Sequence, residues 1–115
     1  MLIPLLALAM MQNAIPTSYT GATLFASCKA AIRLQDDFDR ATGNDARLAA
    51  ACSSYLMGMA ETGDITKMFC MGTVTPATLI RVYVAYMEKN PTLLDQPRRN
   101  GAALALADSY PCPAK

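Results

Sequence analysis

The sequence predicts an all-α fold, a small four-helix disulfide-stapled bundle. Three observations carry that expectation. Apolar residues recur at three- and four-residue spacing in four segments separated by polar turns. Thr and Pro stand where helices begin, and Asn90-Pro91 stands where one must stop. Cys28, Cys52, Cys70 and Cys112 are even in number and widely spaced, with no C-x-x-C among them.

The first 20 residues carry no charged side chain, and Met1 to Met11 is an apolar run. That run is shorter than the ~20 residues a bilayer span takes, and Pro4 interrupts it. It reads as the apolar core of a signal peptide over residues 1–14, cut after Ala14. No Lys or Arg precedes it, and Gln12 holds a position where a small residue is usual. We therefore place the true start upstream of Met1, with a basic segment lost. The competing account is a buried N-terminal helix of a cytosolic protein. The expected product is an exported, periplasmic helical domain over residues 20–115 with no stable membrane span.

The first helix is predicted from about Gly21 to Leu34, capped by Thr20, with Leu24, Phe25, Cys28, Ala31 and Ile32 on its inner face. Asp36, Asp37 and Asp39 mark a charged exit, and Ala41 to Asn44 a polar turn. The second helix is predicted from about Asp45 to Ala60. Thr42 or Asn44 caps it, and Asp45 stands where a capping box needs an acid. Leu48, Cys52, Tyr55, Leu56 and Met59 form its stripe, and Gly58 is expected to permit close helix approach. Glu61 to Lys67 is predicted as a polar loop tipped by Gly63.

Gly72-Thr73 turns the chain, and Thr75-Pro76 opens the third helix with a cap followed by Pro at the first helical position. Leu79, Val82, Tyr83, Tyr86 and Met87 make its inner face. Leu93 and Leu94 tuck a short segment against the core. Asp95 and Pro97 start the fourth helix, with Ala103, Leu104, Ala107 and Tyr110 predicted inward.

Four Cys allow three pairings, and sequence alone does not choose among them. An export signal favours two structural disulfides over four thiols. The preferred pairing is Cys28 with Cys52 and Cys70 with Cys112. Two inward Cys on consecutive antiparallel helices give the first bridge its physical case. Chain-entropy estimates for the two loops are roughly 3.5 and 4 kcal/mol.

Function is constrained first by exclusion. Ten basic against nine acidic residues leave a charge of +1, which argues against nucleic acid as a partner. The chain has no His, so a Ser-His-Asp or Cys-His centre is impossible. Glu61 and Asp64 could act as acid and base, yet no nucleophile or oxyanion donor stands near them in sequence. Asp36, Asp37 and Asp39 lack the Gly-turned loop of a cation site and read as a solvated helix exit. Met57, Met59, Met68 and Met71 read as core filling rather than a copper(I) site. Arg98-Arg99 sits unfavourably at a helix start, which points to an external partner for it. No catalytic residue, cofactor or metal is expected.

The order of motifs is more informative than any one of them. Gly21 with Leu24 and Cys28, then Cys52-Ser53-Ser54-Tyr55-Leu56-Met57-Gly58, are followed by Phe69-Cys70 and Thr75-Pro76 with Leu79. Tyr86-Met87 before Asn90-Pro91, Ala105-Leu106 and Tyr110-Pro111-Cys112 complete the set. From about Gly21 to Cys112 the chain resembles the Rap/Tai family of periplasmic immunity proteins. These protect bacteria against type VI secreted peptidoglycan amidases. The resemblance implies an exported helical domain, two intramolecular disulfides, frequent dimerisation and no catalytic activity. It also implies a cognate amidase effector as partner, whose cleft is blocked partly by a projecting loop.

The exposure pattern, and not a matched family position, selects Glu61, Thr62, Gly63, Asp64 and Lys67 as partner-binding residues. The alternative function is a small periplasmic stress chaperone, or an envelope interaction protein without an amidase partner.

Overall fold

The computed structural model describes residues 19–114, so the predicted signal peptide at 1–14 lies outside the described residues. Four α-helices follow in order: α1 (Gly21–Asp36), α2 (Gly43–Thr66), α3 (Pro76–Lys89) and α4 (Arg98–Ser109). Short 3-10 turns at Phe38–Arg40 and Pro91–Asp95 link α1 to α2 and α3 to α4. Among the described residues the only strand-like pairing is an isolated bridge between Thr20 and Pro97. Both expected disulfides, Cys28–Cys52 and Cys70–Cys112, are formed.

The local start signals work as the sequence indicates. Thr20 Oγ1 accepts from the Thr23 N–H, and Thr75 Oγ1 accepts from the Thr78 N–H with Pro76 opening α3. At α2, Thr42 Oγ1 accepts from the Asp45 N–H and Asp45 Oδ2 accepts from the Thr42 N–H, both at 3.1 Å. This reciprocal box satisfies two donors that the first turn would leave open. It sets the helix start at Gly43, two residues before the expected Asp45. α3 ends at Lys89, where the Asn90 side chain donates back to the Tyr86 carbonyl.

The core is apolar throughout. Tyr83, Phe69, Leu56, Leu79, Met87 and Leu106 are its largest fully buried side chains, and Cys28 and Cys52 lie among them with no exposed surface. Burial pushes the Tyr83 phenol well above its usual range, and its hydroxyl points toward the Gly21 carbonyl at 3.5 Å. On α3, Leu79, Tyr83 and Met87 are buried as expected, joined by Ile80 and Val84, while Val82 and Tyr86 are half-buried.

Three expectations are corrected. α2 does not end at Ala60 but runs to Thr66, so most of the predicted Glu61 to Lys67 loop is helix. The fully buried face of α4 is Gly101, Ala102, Ala105 and Leu106; of the predicted Ala103, Leu104, Ala107 and Tyr110, Ala107 and Tyr110 pack half-buried against the core and Leu104 does not. Leu104 is instead 48% exposed. Gly58 faces open space, with nothing within 4 Å of where a Cβ would sit. Close approach falls elsewhere: a Cβ on Gly21 would stand 2.3 Å from the Leu93 carbonyl oxygen, and one on Gly101 would stand 2.6 Å from the Met87 sulfur.

Candidate functional site

The last turns of α2 form an exposed tip whose path is set by Phe69. The Phe69 ring is fully buried and lies where a Gly63 side chain would be, since a Cβ there would meet ring carbons at 1.9 Å. Gly63 is thus a flat seat for an aromatic ring, and helix can continue through it. The helix closes at Lys67, which adopts the left-handed conformation (φ 62°, ψ 27°). The Met68 N–H then reaches back to the Gly63 carbonyl at 2.9 Å, a Schellman-type closure. A non-glycine residue in that conformation costs about 1 kcal/mol, which the surrounding ties offset.

Those ties are specific. Asp64 Oδ1 accepts from the Met71 N–H at 2.9 Å, and the Cys70 N–H donates to the Tyr110 carbonyl at 2.8 Å. The Cys70–Cys112 disulfide fastens the same segment to the C-terminal end of the chain. The tip is therefore held from beneath at Gly63, Asp64 and Cys70. Glu61, Thr62 and Lys67 face solvent. Of the five residues the sequence selects, three are presented and two (Gly63, Asp64) brace the turn.

Sequence reasoning missed the apolar part of this surface. Ile65 is 80% exposed and Met68 59% exposed, the first on the tip and the second just past it. The signal for Ile65 was available: it is the one large apolar side chain in Glu61-Thr62-Gly63-Asp64-Ile65-Thr66-Lys67 and lies off the helix's buried stripe.

Met68 does not join the core as expected. It lines an open groove of about 490 Å³ between α2 and α4, opposite Leu104 and beside Met59. Met57 and Met71 line a separate cleft with Glu61 and Asp64. Residues two apart on a helix point to different sides, so the four methionines are not brought together. The Glu61/Asp64 cleft is otherwise lined by Met57, Ala60, Met71, Gly72, Val74 and Leu79, none of which supplies a nucleophile.

At the start of α4, Arg98 finds its partner inside the molecule. Its guanidinium lies 4.1 Å from the Tyr19 ring centre and 4.0 Å from that of Tyr55. A cation between two aromatic faces is attracted by both ring quadrupoles. The Arg98 N–H also donates to the Tyr19 carbonyl at 2.9 Å. Burial raises the Tyr55 phenol above its ordinary value, with the nearby Arg98 charge opposing that shift. Arg99 has no such stack and remains exposed at the groove mouth.

The acidic exit of α1 is likewise accounted for locally. Asp36 pairs with Arg81, and Asp37 lies 3.6 Å from Arg40. Among the described residues no group of three or more His, Cys, Asp or Glu is placed to hold a metal ion. None of the described helices is long and apolar enough to cross a membrane.

No curated protein and no solved structure matches the chain. One protein family does, that of the Rap1a immunity proteins, and the match covers residues 20–112. It begins at the Thr20 cap and ends at Cys112, so it takes in all four helices, both disulfides and the tip. The chain thus belongs to the Rap1a immunity protein family, whose members act by binding an effector.

Proposed function

We propose that this protein is a periplasmic, non-enzymatic inhibitor that binds a type VI secreted peptidoglycan amidase and occludes its active-site cleft with the α2 tip. The observation that supports this reading is the tip itself. It presents an exposed apolar side chain, Ile65, flanked by Glu61, Thr62 and Lys67, on a turn pinned by Asp64 and a disulfide. A knob already ordered before binding loses little conformational freedom on entering a cleft, so a modest contact area can hold tightly. Family membership supports the binding role, and the uncharged apolar leader in the sequence supports export. The proposal includes a homodimer, supported by the family likeness alone.

The test is hydrolysis of purified cell-wall sacculi by the secreted amidases of the producing strain. The protein is expected to suppress cleavage by one of them at stoichiometric amounts, and Ile65→Asp to weaken that inhibition by about two orders of magnitude. No inhibition of any secreted amidase by the unaltered protein would sink the reading. Sedimentation of the purified protein tests the dimer.

A further inference from the structure

We infer that the groove between α2 and α4 is a second docking site, for a protein segment that presents a large apolar side chain beside a carboxylate. This extends the binding role proposed above and rests on it. The groove is open, about 490 Å³, with apolar walls from Met59, Met68 and Leu104. That volume lies in the range that accommodates side chains or small ligands. Met68 and Leu104 are both about half exposed or more, although each has apolar neighbours on its own helix or turn that are fully buried. Two methionines give the walls flexible side chains that can adapt to an entering group.

Charge selects the occupant. Arg98 and Arg99 fill the first turn of α4, which contains no acid, and Pro97 provides no side-chain cap. The ion pairs among the described residues engage Arg33, Arg40 and Arg81, and none of them involves Arg98 or Arg99. Arg98 is compensated by the Tyr19 and Tyr55 rings. Arg99 is not, and it stands at the groove mouth where the helix N-terminus adds to its positive field. A carboxylate arriving there removes an unfavourable arrangement as well as making a new pair. The apolar walls with one flanking cation suit a peptide anchor, whereas a polyanion needs a run of basic residues.

The test uses protein carrying ¹³C-labelled methionine methyl groups and two blocked peptides, Ac-Gly-Leu-Asp-Leu-Gly-NH2 and its Lys counterpart. The acidic peptide is expected to shift the Met59 and Met68 methyl signals saturably, while Met57 and Met71 stay unmoved. The Lys peptide is expected to bind about tenfold more weakly, and Arg99→Glu to reverse that order. Equal response to both peptides, or no response at Met59 and Met68, overturns the inference.

The exposed position of Leu104 makes Leu104→Lys a second, fold-neutral variant. It is expected to abolish the peptide response and to weaken the effector complex about tenfold. An effector complex untouched by Leu104→Lys yet lost in Ile65→Asp overturns the groove while leaving the binding role standing. The peptide titration needs no effector, so it reports on the groove even if the amidase proposal fails.

Discussion

Two disulfides hold this bundle, and they sit in opposite environments. Cys28–Cys52 joins α1 to α2 inside the core, with both residues fully buried. Cys70–Cys112 lies at the surface, half-exposed, beneath the tip of α2. The first behaves as a piece of core packing that happens to be covalent. The second fixes the position of a segment that is otherwise short of apolar support, since Lys67 and Met68 face solvent on one side of it. The difference separates what keeps the protein folded from what keeps its presented surface in place.

The largest effects should come from the disulfides themselves. Replacing Cys28 and Cys52 together by Ala is expected to cost about 5 kcal/mol, roughly 3.5 from loop entropy and the rest from two buried sulfurs lost to packing. The same change at Cys70 and Cys112 is expected to cost about 4 kcal/mol, nearly all from the loop. Urea unfolding of the two variants side by side gives the order. A greater loss for the surface pair would mean that loop length outweighs burial and would break the comparison.

Glycine substitutions sharpen it on a smaller scale. Gly63→Ala drives a Cβ into the buried Phe69 ring and is expected to lose about 2 kcal/mol, after the gain in helix propensity is counted. Gly58→Ala, one and a half turns earlier on the same helix, meets nothing and is expected to gain about 0.5–1 kcal/mol. Thermal melts of both variants check the pair of opposite signs.

Much of the fold was legible because its signals are local. Thr20, Thr42 with Asp45, and Thr75-Pro76 act within one turn of themselves, so their spacing is enough. The α2 extension was not legible, because Glu61-Thr62-Gly63-Asp64 has the composition of a loop and only the ring of Phe69 explains why Gly63 belongs in a helix. The phase of α4 was only partly legible, for a different reason. Ala102, Ala103, Ala105 and Ala107 are spread around the helix and give little contrast between its faces, so Met87 and Leu93 packing near Gly101 decides the register. At the candidate site, the selected Glu61, Thr62 and Lys67 are exposed, and the apolar Ile65 and Met68 exposed beside them were not selected. Met68 looks like core within Met68-Phe69-Cys70-Met71 until the neighbouring helix is placed, whereas Ile65 stands out as the lone large apolar residue of a polar segment.

The smallest effect concerns acid. The Asp45 carboxyl is held below its ordinary value of 3.8, first by the Thr42 N–H and then by the Arg33 guanidinium 3.0 Å away. A lowered folded value means that its contribution is complete above 3.8 and is lost as pH falls through the lower one. Asp45→Asn is therefore expected to flatten the stability profile below pH 3.8 and leave the tip untouched. Unfolding midpoints across that range, with and without the substitution, read it out. An unchanged acid slope would show that the α2 cap carries no linkage.

That the tip is helix also bears on how such a surface can diversify. On a loop, each exchanged residue alters the backbone as well as the surface. On the last turns of α2, Glu61, Thr62 and Ile65 hang from a backbone whose path is set by Gly63, Asp64 and Phe69. Substitutions at exposed positions of that kind usually shift stability by less than about 0.5 kcal/mol. The tip's outward side chains can therefore be exchanged one at a time while the scaffold that carries them stays the same.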